Sequence, residues 1–176
     1  MLQQQREKRF NNRLASLMTA PFEDDRNSGR EAAVHESGLL GRRRDPEIAS
    51  IVACTSAHYR SFLAGLSIIT GRRQILIGVV GTDIDETPIE ESFCAVTIQR
   101  PGEPLIVQDA KTDPRFATYR TVTGQPFVRF YAGISIMDRN GYALGALCIA
   151  DQAPRESHFD PTELLIRARQ IERLIR

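Results

Sequence analysis

The chain has 176 residues, 41% of them hydrophobic and 26% charged, with 23 basic against 22 acidic side chains and a formal net charge of +1. That length supports one core and not two full domains. The near-neutral balance argues against a protein that holds nucleic acid or an anionic membrane by bulk electrostatics. No apolar run reaches the roughly 18 residues of a membrane span, and the opening MLQQQREKRFNNR has no apolar stretch of a secretory signal. A cytoplasmic protein with no nucleic-acid and no membrane partner is therefore expected. Cys54, Cys94 and Cys148 stand 40 and 54 residues apart without a CxxC pair, and His35, His58 and His158 are equally scattered. Reduced thiols are expected, with neither a disulfide framework nor a metal site.

In chain order, residues 1–44 carry nine Lys/Arg against six Asp/Glu and read as an N-terminal arm, with residue 44 the expected boundary of a domain over 45–176. Within the arm, Phe10, Leu14, Leu17 and Met18 allow a short amphipathic helix, followed by the polar stretch Glu23 to Arg30. A partly disordered arm and a partner-binding helix are both compatible with this pattern. Asp45 before Pro46 predicts an N-cap followed by Pro at the first helical position, and Ile48, Ile51, Val52 and Tyr59 recur at helical spacing. Phe62 to Thr70 and Gln74 to Val80 predict two strands joined as a hairpin through Gly71-Arg72-Arg73. Thr87-Pro88-Ile89-Glu90 has the form of a capping box, so a helix is expected from Pro88 to about Ile98, stopped by the Pro101-Gly102 turn. Pro104 to Gln108 reads as a short strand, Asp113-Pro114 as the start of a one- or two-turn helix, and Thr123 to Pro126 as loop. Val128 to Met137 and Tyr142 to Asp151 flank Asn140-Gly141, a strong hairpin signal. Asp160-Pro161-Thr162-Glu163 then caps a last helix with Leu164, Ala168, Ile171 and Ile175 on one stripe. Mostly antiparallel strands with helices at both ends of the chain predict an α+β domain with a helix layer on one sheet face.

A two-residue turn at Asn140-Gly141 would pair Gly133 with Cys148 and Ser135 with Ala146, and would sort the hairpin into two unlike faces. One carries Phe130, Ala132, Ile134, Ile136, Leu147 and Ile149, as a face packed on helices should. The other carries Arg129, Tyr131, Gly133, Ser135, Ala146, Cys148 and Ala150. Small side chains in its middle leave room, and a guanidinium and a phenol toward one end supply orienting groups, which is what a buried ligand pocket needs. The competing reading pairs Arg129 with a structural carboxylate such as Asp109 and lets loops fill the space. The assignment depends on the turn, since a four-residue turn with a bulge could shift the register and exchange the faces.

Five blocks carry a family resemblance: Glu91 to Ala95 (ESFCA), Val107 to Phe116 (VQDAKTDPRF), Val122 to Gly124 (VTG), Arg129 to Gly133 (RFYAG) and Gly141 to Asp151 (GYALGALCIAD). In this order and spacing, over about Asp45 to Arg176, they resemble a GAF domain, more narrowly the bacterial subgroup found ahead of sensor histidine kinases and diguanylate cyclases. The resemblance implies a GAF-like, PAS-related antiparallel sheet of about six strands, with helices from the two termini on one face and a ligand pocket under loops and short helices on the other. On that reading the candidate ligand-binding residues are Phe93, Cys94, Asp109, Phe116, Arg129, Tyr131, Ser135 and Cys148. Departures from related patterns narrow the ligand. Val96 stands where the subgroup often has His, and the Asn-Lys-Phe-Asp-Glu signature of cyclic-nucleotide GAF domains is missing. The bilin-attachment run and the cysteine motif of free methionine sulfoxide reductases are missing too.

No nucleophile has an identifiable base and orienting group, so no enzymatic activity is expected. No cofactor is identified by the sequence. With no kinase, cyclase or helix-turn-helix segment after Arg176, the expected function is that of a stand-alone sensory or regulatory module of bacterial signalling. It would bind a small molecule between the mixed face and the loop from Asp109 to Gln125, and act through its terminal helices as a homodimer, with a separate kinase or cyclase as downstream partner. Two alternatives stand beside it. One is a dimerisation or docking scaffold with a vestigial pocket. The other is a thiol redox sensor or enzyme built on Cys94 and Cys148, whose ordinary use would be as small buried hydrophobes.

Overall fold

The structure, a computed structural model, describes residues 25–155 and 158–175. The proposed helix over Phe10 to Met18 lies outside them. The elements are α1 (Asp25–Glu36), α2 (Pro46–Tyr59), β1 (Leu63–Thr70), β2 (Arg73–Val80), β3 (Glu86–Pro88), α3 (Phe93–Thr97), β4 (Leu105–Val107), α4 (Arg120–Thr123), β5 (Phe130–Met137), β6 (Ala143–Asp151) and α5 (Thr162–Glu172). The strands form one antiparallel sheet in the order β3-β2-β1-β6-β5-β4, so the two long hairpins meet at the central β1–β6 pair. The expected α+β class and the antiparallel sheet with terminal helices are what the chain adopts.

Local signals place most of these elements. The Asp45 carboxylate accepts from the backbone N–H groups of Glu47 and Ile48, capping α2 with Pro46 in its first turn. Asp160 accepts from the backbone N–H and the hydroxyl of Thr162 at the entry to α5. The Tyr59 hydroxyl accepts from the Leu164 N–H and donates to the Asp160 carbonyl, joining the end of α2 to the start of α5. One face of the sheet is covered by α1, α2 and α5. Val34, Leu39, Ile48, Val52, Leu164 and Ile171 are buried there against Leu66, Ile68, Phe130, Ile134 and Leu147. The close seat of α2 needs a glycine, since a Cβ at Gly78 would stand 2.8 Å from Ile48 Cγ2. At the far side of the layer, Glu31 accepts from the Thr70 hydroxyl at 2.7 Å and the Gly71 N–H at 2.9 Å, tying α1 to the tight β1–β2 turn.

Asp113-Pro114 opens a hydrogen-bonded turn and not the expected helix, the short helix beginning only at Arg120, and two further expectations need correction. The stretch from Thr87 to Ile98 is not one helix. Thr87 pairs with Gln74 as part of β3, Ile89–Glu91 makes a single 3-10 turn, and the helix begins only at Phe93. Ser92, held extended, accepts from the Ala95 N–H and is the true cap. Edge pairing with β2 satisfies the backbone that the presumed capping box would have turned into helix. Second, the β5–β6 connection is longer than two residues: Asp138 N–H bonds the Tyr142 carbonyl, and the Asp138 carboxylate accepts from the N–H groups of Asn140 and Tyr142. Met137 therefore faces Ala143, and an extra residue on β6 shifts the register between Ile136 and Met137. The longer turn and the bulge cancel. Gly133 pairs with Cys148 and Ser135 with Ala146, as the shorter turn would also have required.

Candidate functional site

With the register settled, Tyr131, Gly133, Ser135, Ala146, Cys148 and Ala150 face away from the helix layer. Tyr131, Ala146, Cys148 and Ala150 belong to a second core, closed over by α3 and the long segment between β4 and β5. Aromatic rings fill much of the room that the small residues leave. Phe93 stacks on Phe116 at 4.4 Å and on Tyr131 at 4.8 Å between ring centroids, with Tyr119 edge-on to both Phe93 and Phe116. Tyr131 leans across its own strand, so that a Cβ at Gly133 would overlap its hydroxyl.

What remains open is a cavity of about 80 Å³ beside this cluster, displaced toward β1 and β2. Leu63, Leu76, Cys148 and Ala150 make its apolar floor, Phe93, Cys94 and Tyr131 one wall, and Pro126 and Val128 its cover. Exposed Ile84 stands at its rim. Its few polar lining residues are Gln74, Thr82, Thr87, Thr121 and Glu91, whose carboxylate pairs with exposed Arg120 at 3.0 Å. The buried hydroxyls of Thr87 and Thr121 have no hydrogen-bond partner among the described residues, and neither has that of Tyr119 behind Phe93. Each such orphan costs about 1–3 kcal/mol in lost hydration.

Four of the eight residues singled out from the sequence, Phe93, Cys94, Tyr131 and Cys148, come together on the cavity wall. Phe116 is fully buried behind Phe93. Arg129 points elsewhere: its guanidinium donates to the carbonyls of Val122 and Val128, both at 2.9 Å, and so anchors the cover segment to the start of β5. The Ser135 hydroxyl accepts from the Gly102 N–H at 2.9 Å and holds the Pro101-Gly102 turn. Asp109 accepts from the Lys111 N–H in a tight turn and lines a separate groove with Thr112, Asp113 and Arg115. Sequence reasoning missed Gln74, Leu76, Thr87 and Thr121. The first two were legible in principle, since alternate residues of β2 continue the mixed face across β1. Thr87 was hidden by its resemblance to a helix cap.

The thiols of Cys94 and Cys148 are both buried, unoxidised, and 3.7 Å apart sulfur to sulfur. The Tyr131 hydroxyl donates to Cys94 Sγ at 3.4 Å and lies 2.8 Å from Thr97 Oγ1. Hydrogen bonding from Cys148, then from Ser67 and Tyr131, outweighs burial and holds the Cys94 thiol below its ordinary range. Its hydrogen bond to Cys94 and its own burial push Cys148 well above that range. Burial raises the Tyr131 phenol well above its ordinary value and carries Tyr119 up to about 12, with the nearby Glu91 charge adding to the second.

Comparison with known proteins agrees with this architecture. The chain is 37% identical over 139 residues to a cyclic di-GMP phosphodiesterase of Pseudomonas aeruginosa; the match covers 79% of this chain and 23% of that protein, so the chain spans about a quarter of its relative's length. Among solved structures, the GAF domain of an Acinetobacter phosphoenolpyruvate-protein phosphotransferase superposes with a TM-score of 0.60 at 13% identity, over 86% of this chain and 93% of that one. A free methionine-R-sulfoxide reductase of Neisseria meningitidis, solved with its substrate, superposes with a TM-score of 0.59 at 16% identity, over 86% and 90%. At those identities the structural likeness is one of fold alone. Residues 70–167, more than half of the sequence, match the family model of the GAF domain, and the chain belongs to that family.

Proposed function

We propose that this chain is a sensory or regulatory module of bacterial signal transduction that works in the cytoplasm, binding a small molecule in the cavity over the mixed sheet face and performing no turnover. The observation that carries the reading is a mostly apolar cavity on the mixed face whose lining includes Thr87 and Thr121, two residues with buried hydroxyls that have no partner among the described residues. A ligand that reaches these hydroxyls through a small shift of the side chains covering them would supply the partners they lack, while its apolar body gains contact with Leu63, Leu76 and Ala150. The bacterial phosphodiesterase relative supports a role in signalling. Ligand binding would bias how the terminal helices present themselves to a second copy of the chain and to a separate kinase or cyclase, with a coupling of about 1–3 kcal/mol.

The test compares the native chain with an Ala150→Phe variant, whose ring occupies the cavity. Purified from cell extract and unfolded, the native protein should release a small molecule detectable by mass spectrometry that the variant lacks. Compounds from a metabolite panel should raise the melting temperature of the native chain alone, by the equivalent of about 2.7 kcal/mol at a hundredfold excess over Kd. Identical behaviour of the two proteins in both measurements would remove the sensing role and leave a docking scaffold.

A further inference from the structure

We propose that Cys94 and Cys148 form a peroxide-reactive dithiol, a modification site that on oxidation joins α3 covalently to β6. Three observations place it. The two sulfurs come from elements 54 residues apart in sequence and stand 3.7 Å apart, in direct contact with nothing between them. A disulfide needs about 2.05 Å between sulfurs, and so a closure of under 2 Å. Both cysteines are lining residues of the cavity, whose volume of about 80 Å³ has room for a molecule the size of water or hydrogen peroxide, and neither is more than 5% exposed. Finally, Cys94 is not in a uniformly apolar setting: the Tyr131 hydroxyl donates to its sulfur at 3.4 Å and the Ser67 hydroxyl also bonds it, giving a thiolate there the polar support that ordinary buried cysteines lack.

The oxidant is hydrogen peroxide. The Cys94 thiolate attacks one peroxide oxygen; the S–O bond forms, the O–O bond breaks, and the departing hydroxide takes up the proton that the Cys94 thiol gave up, leaving as water. The Cys148 sulfur then attacks Cys94 Sγ; the S–S bond forms, the S–O bond breaks, and hydroxide leaves with the Cys148 proton as a second water. Two thiols and one peroxide become one disulfide and two waters, the sulfur pair giving up two electrons and the peroxide oxygens taking them. Because the new bond spans the cavity wall, it ties α3 to the sheet and narrows the space that a ligand would occupy. The dithiol chemistry itself stands whether or not a ligand binds there.

The experiment uses the full chain carrying Cys54→Ser, so that only the two buried thiols remain. After brief exposure to hydrogen peroxide, the protein is unfolded, treated with a maleimide and weighed. The expected result is loss of both alkylatable thiols together, an intact mass lower by two hydrogens, a Cys94–Cys148 linked peptide on digestion, and full recovery with dithiothreitol. Adding Cys148→Ser should halt the reaction at a Cys94 sulfenic acid that dimedone traps, whereas adding Cys94→Ser should slow oxidation of the remaining thiol about tenfold or more. A melting curve on each variant confirms that it is folded. Two thiols still alkylatable after peroxide treatment, oxidation that adds oxygen without a linked peptide, or crosslinks only between chains would each overturn the proposal.

Discussion

Tyr119 shows how a single side chain can be read against its surroundings. It packs edge-on against Phe93 and Phe116, is 5% exposed, and its hydroxyl bonds to nothing described. Burial and the neighbouring Glu91 charge raise its phenol to about 12, against an ordinary value of 10. Above pH 10 the unfolded chain loses this proton while the folded one keeps it, so the unfolded state binds fewer protons and stability falls as pH rises. The loss should build up between pH 10 and 12 to about 2 kcal/mol from this group. Tyr119→Phe should therefore be neutral or slightly stabilising at pH 7, where it removes an orphan hydroxyl, and should flatten the alkaline decline in urea unfolding measured across that window. Tyr131 makes the contrast. Its hydroxyl is satisfied by Thr97 and Cys94, and its position on the mixed face was evident from strand alternation, whereas the fate of Arg129 was not. A guanidinium reaches far enough that strand position does not say whether it meets a ligand, a carboxylate or, as here, two backbone carbonyls.

At the level of elements, α3 is five residues long and too short to persist by its own hydrogen bonds, so its ends and its buried face must hold it. Ser92 does so at both sides of its hydroxyl, accepting from the Ala95 N–H and donating to the Gln74 side chain on β2. Ser92→Ala should lower the stability to urea by about 1–2 kcal/mol, and should increase the reactivity of Cys94 toward a maleimide in the native state, since Cys94 is the second residue of the helix. No change in Cys94 labelling would mean that packing alone fixes α3. The sequence pattern had the cap five residues too early, because Thr-Pro-Ile-Glu satisfies the local rule for a helix start and nothing within those four residues reveals the neighbouring edge of β2. Hairpins fared better. The body of β5–β6 kept its expected pairing although the turn was longer, since a register slip of one with Ile134 kept inward would have turned Leu147 out of the helix layer and Cys148 into it.

For the whole molecule, the apolar stripe of α5 is spent inward: Leu164, Ala168 and Ile171, with Ile175 just beyond the helix end, are buried in the core under the sheet. A homodimer through the terminal helices must then use their outer surface, where Ile166 is 48% exposed. Light scattering at micromolar concentration should give the mass of two chains, and Ile166→Glu should shift it toward one. A native mass of one chain would remove the dimer. Among the described residues no helix is long and apolar enough to cross a membrane. Hydrophobic periodicity, capping residues and turn chemistry act over a few neighbours along the chain, which is why the sequence alone determined the α+β class, the helix layer, both hairpins and the division of the sheet into an apolar and a mixed face. The place of the edge strand β3, the true start of α3, the cavity's position toward β2 and the meeting of Cys94 with Cys148 were decided only in three dimensions. Each depends on which groups from distant segments compete for the same space and the same hydrogen bonds, and that competition leaves no periodic trace in the chain.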